Sequence, residues 1–201
     1  MKHLLSVSTV VLFVCYLMFE GLNSTALAQM YTITDLGTLG GISSSAGDIN
    51  NEAQIAGSST IYSGAQHAYL WENGIMQDLG VPTGYLVSGA TGVNDFSQVV
   101  GYTNGQYQSQ YAYYWEDGVW TYLGTLSGPG LDWSVASDIN NDGQIVGYSF
   151  TLGPGSEHRA WLCEDSVFTD LGDLGGDAAS AGTINEIGRS SVGRKLVIQD
   201  T

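Results

Sequence analysis

Short runs in which apolar residues alternate with polar or small ones recur along this chain, each run broken by a tight turn. Val135-Ala136-Ser137-Asp138-Ile139 is followed by Asn140-Asn141-Asp142-Gly143 and then by Gln144-Ile145-Val146-Gly147-Tyr148. A period of two around a Gly-containing turn predicts strand, turn, strand. A second pair follows in each stretch. His67-Ala68-Tyr69-Leu70-Trp71 leads through Glu72-Asn73-Gly74 into Ile75-Met76-Gln77-Asp78-Leu79, and Tyr111 to Trp115 leads through Glu116-Asp117-Gly118 into Val119 to Leu123. Asn-Gly and Asp-Gly supply the positive φ angles of hairpin turns whose twist matches the strands they join. No window beyond the first thirty residues sustains a helical apolar period, and 28 glycines make long helices costly.

The pattern is also internally repeated. Asp35-Leu36-Gly37, Asp78-Leu79-Gly80, Tyr122-Leu123-Gly124 and Asp170-Leu171-Gly172 lie 43, 44 and 48 residues apart. Ile49-Asn50, Val93-Asn94, Ile139-Asn140 and Ile184-Asn185 keep step with them. The units run over about 33–76, 77–120, 121–168 and 169–201, the last one partial. Four short strands per unit of this length is the layout of a propeller blade. The expected fold is therefore all-β: a β-propeller-like array of four-stranded antiparallel repeats, three full copies plus one partial, read as an incomplete four-bladed propeller. Ala46, Ala90, Ala136 and Ala181, with Gly57, Gly101 and Gly147, put small side chains on the first two strands. Tyr69, Trp71, Tyr113, Trp115 and Trp161 put bulky ones on the third. Cys163 aligns with Trp71 and Trp115, which predicts a packing role for it. The fourth copy supplies one hairpin, Ala178 to Val192. Met30 to Leu36 matches an outer strand and could complete that blade, with Leu196-Val197-Ile198 as a poor third strand; otherwise open edges invite self-association.

Composition changes the picture in two ways. The net charge is −15, and between Gln29 and Gly188 Arg159 is the sole Lys or Arg. Such a surface repels phosphate backbones and anionic lipid, which excludes nucleic acid and a membrane surface as partners. The other change is an address. Lys2 and His3, the apolar stretch Leu4 to Phe19, and Ala26-Leu27-Ala28 read as a signal peptide over residues 1–28, leaving 29–201 as one secreted (extracellular or periplasmic) domain. Cys15 would leave with the signal, so Cys163 has no partner for an internal disulfide.

The string Ala65 to Gly80, with His67-Ala68-Tyr69 at its centre, and the string Ser134 to Gly147 resemble the HAF family of probable extracellular repeats. The likeness covers nearly all of residues 33–193. It implies an exported, bacterial-type, propeller-like protein and transfers no catalytic residue. Tyr111 and Arg159 stand where the family's His is expected, Cys163 stands for a Trp, and the fourth copy is incomplete.

Candidate chemistry is sparse. Asp138-x-Asn140-x-Asp142-Gly143 resembles the start of a calcium loop, though Ser149 occupies the place where a bidentate Glu is wanted; the competing reading is a turn capped by Asn. No other cofactor is implied. Glu157-His158-Arg159 is the one polar cluster with no counterpart in the other units, and so a place for a private function. Tyr62, Tyr85, Tyr107 and Trp133 fall in connections beside amides and glycines, a combination suited to sugar or peptide surfaces. The expected function is a secreted binding or surface-interaction module for an extracellular glycan or protein, not an enzyme. The alternatives are an exported propeller enzyme acting on polysaccharide, through one of the many Asp and Glu side chains, and a repeat fragment without an independent role.

Overall fold

A computed structural model describes residues 33–105, 110–126, 133–150, 158–172 and 178–195. The chain is all-β, with no helix among the described residues. Every strand lies in the compact unit Leu36–Thr201. The first antiparallel sheet is β1 (Gly40–Ile49), β2 (Ile55–Ile61), β3 (Gln66–Glu72) and β4 (Ile75–Gly80). The second is β5 (Val87–Val93), β6 (Val99–Asn104), β7 (Gln110–Glu116) and β8 (Val119–Gly124). The third is β9 (Trp133–Ile139), β10 (Ile145–Phe150), β11 (His158–Glu164) and β12 (Val167–Gly172), followed by the hairpin β13 (Ala178–Ile184) and β14 (Ser190–Lys195). Ile33 to Leu36, the described part of the expected outer strand, is not in a strand; Met30 to Thr32, Leu196 to Ile198 and the signal segment lie outside the described residues.

Local chemistry sets the hairpins. Both central turn residues between β3 and β4 have positive φ, at Asn73 (51°) and Gly74 (86°), and Asp117 and Gly118 repeat this at 49° and 82°. The third unit holds the same turn with Asp165 and Ser166, so Ser166 adopts φ 66° without the freedom of glycine.

Packing between units follows the size pattern. Gly57, Gly101 and Gly147 pair across strands with Tyr69, Tyr113 and Trp161. A Cβ on Gly147 would sit 2.1 Å from the Val135 carbonyl and 2.5 Å from the Trp161 ring. The glycine is the slot that ring needs. The fourth copy places Val192 opposite Ala181, where the first three have glycine, and β14 is an edge strand. Val192 fills the slot itself and packs against the third apolar cluster.

Each sheet is kept dry by its successor. β5 packs on β2 and β3, β9 on β6 and β7, and β13 on β10 and β11. The three interfaces are three apolar clusters: Ala56, Leu70 and Leu79 against Val99, Tyr113 and Trp115; Val100 and Ala112 against Ile139, Ile145, Trp161 and Cys163; Val146 and Ala160 against Ala179, Ala181 and Ile184. Burial of this kind stabilises by about 25 cal/mol per Å² of apolar surface. No described strand packs over the outer face of β1, and Ile42 and Ile49 are 99% and 60% exposed.

Serine clamps reinforce the first two interfaces. Ser88 Oγ accepts from the Ala68 amide (2.8 Å) and donates to Gly80 O (2.5 Å). Ser134 Oγ does the same with Ala112 and Gly124, at 2.9 and 2.7 Å. Ala179 takes this position in the fourth copy. With no hydroxyl standing between the strands, the backbones meet directly: β13 joins β11 in parallel at His158 and Ala178.

Candidate functional site

The third unit carries a row of rings. Trp133 begins β9 and pairs with Phe150 at the end of β10, which pairs with His158 at the start of β11. Tyr148, two residues before Phe150, shares its face because strand side chains alternate. Trp133 and Phe150 are 5.7 Å apart at 48°, Phe150 and His158 4.8 Å apart edge to face, and His158 stacks on Tyr148 at 5.7 Å. With Gln110, Ser134 and Val135 these rings line a cavity of about 230 Å³. Among the described residues no carboxylate lines it, and the Ser134 hydroxyl is already committed to its clamp.

The same place in the first unit is a smaller cavity, about 140 Å³, lined by Ser43, Ser58, Thr60 and Gln66 together with Ser44, Ser45 and Ser59. The second unit has Val87, Tyr102, Asn104 and Gln110 at the corresponding strand positions. The frame is constant while its lining changes from hydroxyls to rings, so the rings of the third unit are not a requirement of the fold.

The structure divides the sequence-derived candidates. Trp133 and His158 come from separate candidate groups and meet in this cleft. Arg159, adjacent to His158, faces the other way and pairs with Asp170 on β12. The Arg159 hydrogen bond holds the Asp170 carboxyl below its usual pKa against a partial desolvation. This is a repeat position: His67 Nδ1 lies 2.9 and 3.0 Å from the Asp78 carboxylate, and Tyr111 packs edge-on against Tyr122. Tyr85 is half-buried against Tyr111, 5.6 Å away, and burial pushes its hydroxyl pKa up, with Tyr111 adding to the shift. Tyr62 is 94% exposed and does not line the cleft. Tyr107 and Glu157 lie outside the described residues. Tyr148 and Phe150 were missed from sequence; the signal was there in the aligned repeats, where Ser58 and Thr60 become Tyr102 and Asn104 and then two rings.

The repeated Asn builds a ladder across units. Asn50 Nδ2 donates to Asn94 O (2.8 Å), Asn94 Nδ2 to Asn140 O (3.1 Å), and Asn140 Nδ2 to Asn185 O (3.1 Å). Each also holds its own turn, as when Asn140 Oδ1 accepts from Gln144 N at 2.9 Å. Asp138 spans the same step: its oxygens accept from the amides of Ile139 and Ile184, both at 2.8 Å. Burial pushes its pKa up, Asp48 and Glu186 add to this, and the two amides oppose it. Asp142 is exposed. The candidate calcium residues Asp138, Asn140 and Asp142 are therefore not assembled as a ligand set: two are bonded into the ladder and one faces solvent. No group of three His, Cys, Asp or Glu side chains among the described residues is placed to hold a metal ion. At this end Asp48, Asn51, Asn94, Asp95, Asp138, Ile184 and Glu186 surround a cavity of about 180 Å³. Asp95 accepts from both Asn51 and Asn141, which hold its carboxyl below the usual pKa.

Comparison with protein-family models, with curated proteins and with solved structures finds no match to this chain.

Proposed function

We propose that this protein is an exported, propeller-like module that binds an extracellular carbohydrate or protein in the aromatic cleft of its third unit. The observation that carries the reading is the row Trp133, Phe150 and His158, with Tyr148 beside it, built in a slot that the first unit fills with hydroxyls. Three strands fix those rings in one cavity, which is the kind of preformed apolar site that small ligands and side chains enter. The pattern of Lys2 to Ala28 supports export, and the HAF-like strings support an extracellular repeat protein.

Radial arrangement is supported by the 180 Å³ cavity at the Asn turns, which is lined by residues of four successive units. Sheets stacked in a line stand about 10 Å apart face to face, so the first and fourth would be separated by about 30 Å and would not share one small cavity. Convergence on an axis brings them together. The Asn ladder then forms one end of the array and the aromatic cleft lies at the other end of β9.

The test is a glycan and peptide array probed with the exported protein and with its Trp133→Ala and His158→Ala variants, with and without calcium. Saturable binding that both substitutions weaken supports the module. Turnover of a polysaccharide that a single Asp or Glu substitution abolishes would replace it with an enzyme. Binding that neither cleft substitution changes would move the site elsewhere.

A further inference from the structure

We infer that the aromatic cleft of the third unit takes a quaternary ammonium group, a small organic cation of the choline type; the inference rests on the reading of that cleft as the binding site. Three observations point to this ligand. The walls are ring faces and edges: Trp133, Tyr148, Phe150 and the His158 imidazole, with neighbouring ring centres 4.8 to 5.7 Å apart. A cation within about 6 Å of a ring face is held by the ring's quadrupole, best by Trp.

The second observation is what the cleft lacks. Among the described residues no carboxylate lines it, and the Ser134 hydroxyl is used by Ala112 and Gly124. A primary ammonium carries three N–H donors and strong hydration, and would give these up for few acceptors. A quaternary ammonium has no N–H to satisfy. Its weakly hydrated methyl groups need only surface to touch, which the rings offer.

The third is charge. The chain carries −15, and the Arg159 guanidinium next to the cleft is turned to Asp170 on the outer strand. The field of such a protein raises the local concentration of cations and gives a neutral sugar no comparable help. The same field opposes a phosphate, which favours a free small cation over a phosphocholine headgroup.

The experiment titrates the exported protein with choline, following indole fluorescence and heat. Its uncharged isostere 3,3-dimethylbutan-1-ol and a set of simple sugars are titrated in parallel. The expected result is saturable choline binding at least tenfold tighter than the isostere, weakened about tenfold or more by Trp133→Ala and restored in part by Trp133→Phe. Phe150→Leu keeps an apolar side chain, removes a ring and weakens choline more than the isostere. Raising salt weakens choline as the long-range field is screened. Phosphatidylcholine vesicles distinguish the source: free choline binding without vesicle retention supports the small cation. Vesicle retention displaced by choline would overturn that assignment of source. Equal affinity for choline and isostere, or no saturable choline binding, overturns the cation. If sugars bind instead and Trp133→Ala abolishes it, the cleft stands and only this ligand falls; if no array ligand or titrant responds to Trp133→Ala, both fall together.

Discussion

Asn94 is the point at which the ladder can be broken most informatively. It is 4% exposed. Its Nδ2 donates to Gln98 Oε1 (2.6 Å) and Asn140 O (3.1 Å), and its Oδ1 accepts from the amides of Gln98 and Phe96, both at 3.1 Å. Asn94→Ala strands four polar groups around one buried site. A buried donor or acceptor left unmade costs about 1–3 kcal/mol, and part of that is recovered by water, so we expect a loss of about 3–5 kcal/mol. That is a large share of a typical domain stability of about 5–15 kcal/mol. Asn94→Asp is the sharper perturbation. It keeps both acceptor bonds but turns a carboxylate oxygen toward Gln98 Oε1 and Asn140 O. Gln98 cannot rotate its amide to help, because its Nε2 is held by Glu116 Oε1 at 2.8 Å.

An Asp in that place has its folded pKa raised above the unfolded value of about 3.9, since burial and two facing oxygens all disfavour the charge. For an acid raised in the folded state, the penalty is absent below the unfolded pKa. It grows as pH rises through the folded pKa and is full above it. The protonated acid can donate to one of the two oxygens and recovers part of the ladder. Urea unfolding followed by indole fluorescence, each variant referred to wild type at the same pH, separates the cases. Asn94→Asp should lose at least as much as Asn94→Ala at pH 7 and clearly less at pH 4, whereas the alanine deficit should stay flat. An Asp variant within about 1 kcal/mol of wild type at pH 7, or one whose deficit does not shrink on acidification, would refute the ladder as a buried, fully bonded element.

The remaining predictions concern the frame. Gly147→Ala forces a Cβ to 2.1 Å from a backbone carbonyl and should cost about 3 kcal/mol or prevent folding, read by thermal melting; an effect under about 1 kcal/mol would mean the slot is not tight. Ser166→Gly relieves a positive φ at a solvent-facing turn and should raise stability by about 1 kcal/mol in the same assay. Replacing Arg159 and Asp170 by the Tyr pair of the second unit should show coupling: the double variant should be more stable than the two single losses sum to, by about 0.5 kcal/mol or more in a double-mutant cycle. Because Arg159 depresses the Asp170 pKa, whatever that pair adds is present above pH of about 4 and fades as pH falls through the depressed value; the pair is partly exposed, so the amount is small. Burial raises the Cys163 thiol pKa, so alkylation at pH 8 should be negligible in the native protein and fast in urea.

Much of the fold was legible because each unit repeats its own errors and constraints. Alternation fixed the strands of the third unit to within two residues: Val135 to Ile139 and Gln144 to Tyr148 became Trp133–Ile139 and Ile145–Phe150. Asn-Gly and Asp-Gly marked two turns, and comparison of copies marked the third, where Asp165 and Ser166 carry no glycine signal. Gly57, Gly101 and Gly147 are small because a ring from the adjoining strand lies over each, a cross-strand relation that needs the register and not only the period. The fourth copy shows the limit. One inserted residue moved Val192 into the glycine's place, and the sequence alone did not say whether Gly193 or Val192 would face Ala181.

The site was half legible, and the reason lies in what a repeat conceals. Residues kept in every copy build the frame, so function has to be sought where copies differ; but differences come in two kinds. His67 with Asp78, Tyr111 with Tyr122 and Arg159 with Asp170 change together, because each pair must satisfy itself across one hairpin. Such changes leave nothing over for a ligand. Ser43, Ser58, Thr60 and Gln66 against Trp133, Tyr148, Phe150 and His158 also change together, but these rings surround open space instead of closing it. Sequence spacing could not tell compensation from vacancy. It grouped His158 with Arg159 because they are adjacent, although adjacent strand residues point to opposite faces, and it left Trp133 apart because 24 residues intervene. Alternation carries the correction: taken strictly, it sends Arg159 to the ion pair and leaves His158, Phe150 and Trp133 as one row across three strands, the row on which the proposed ligand site rests.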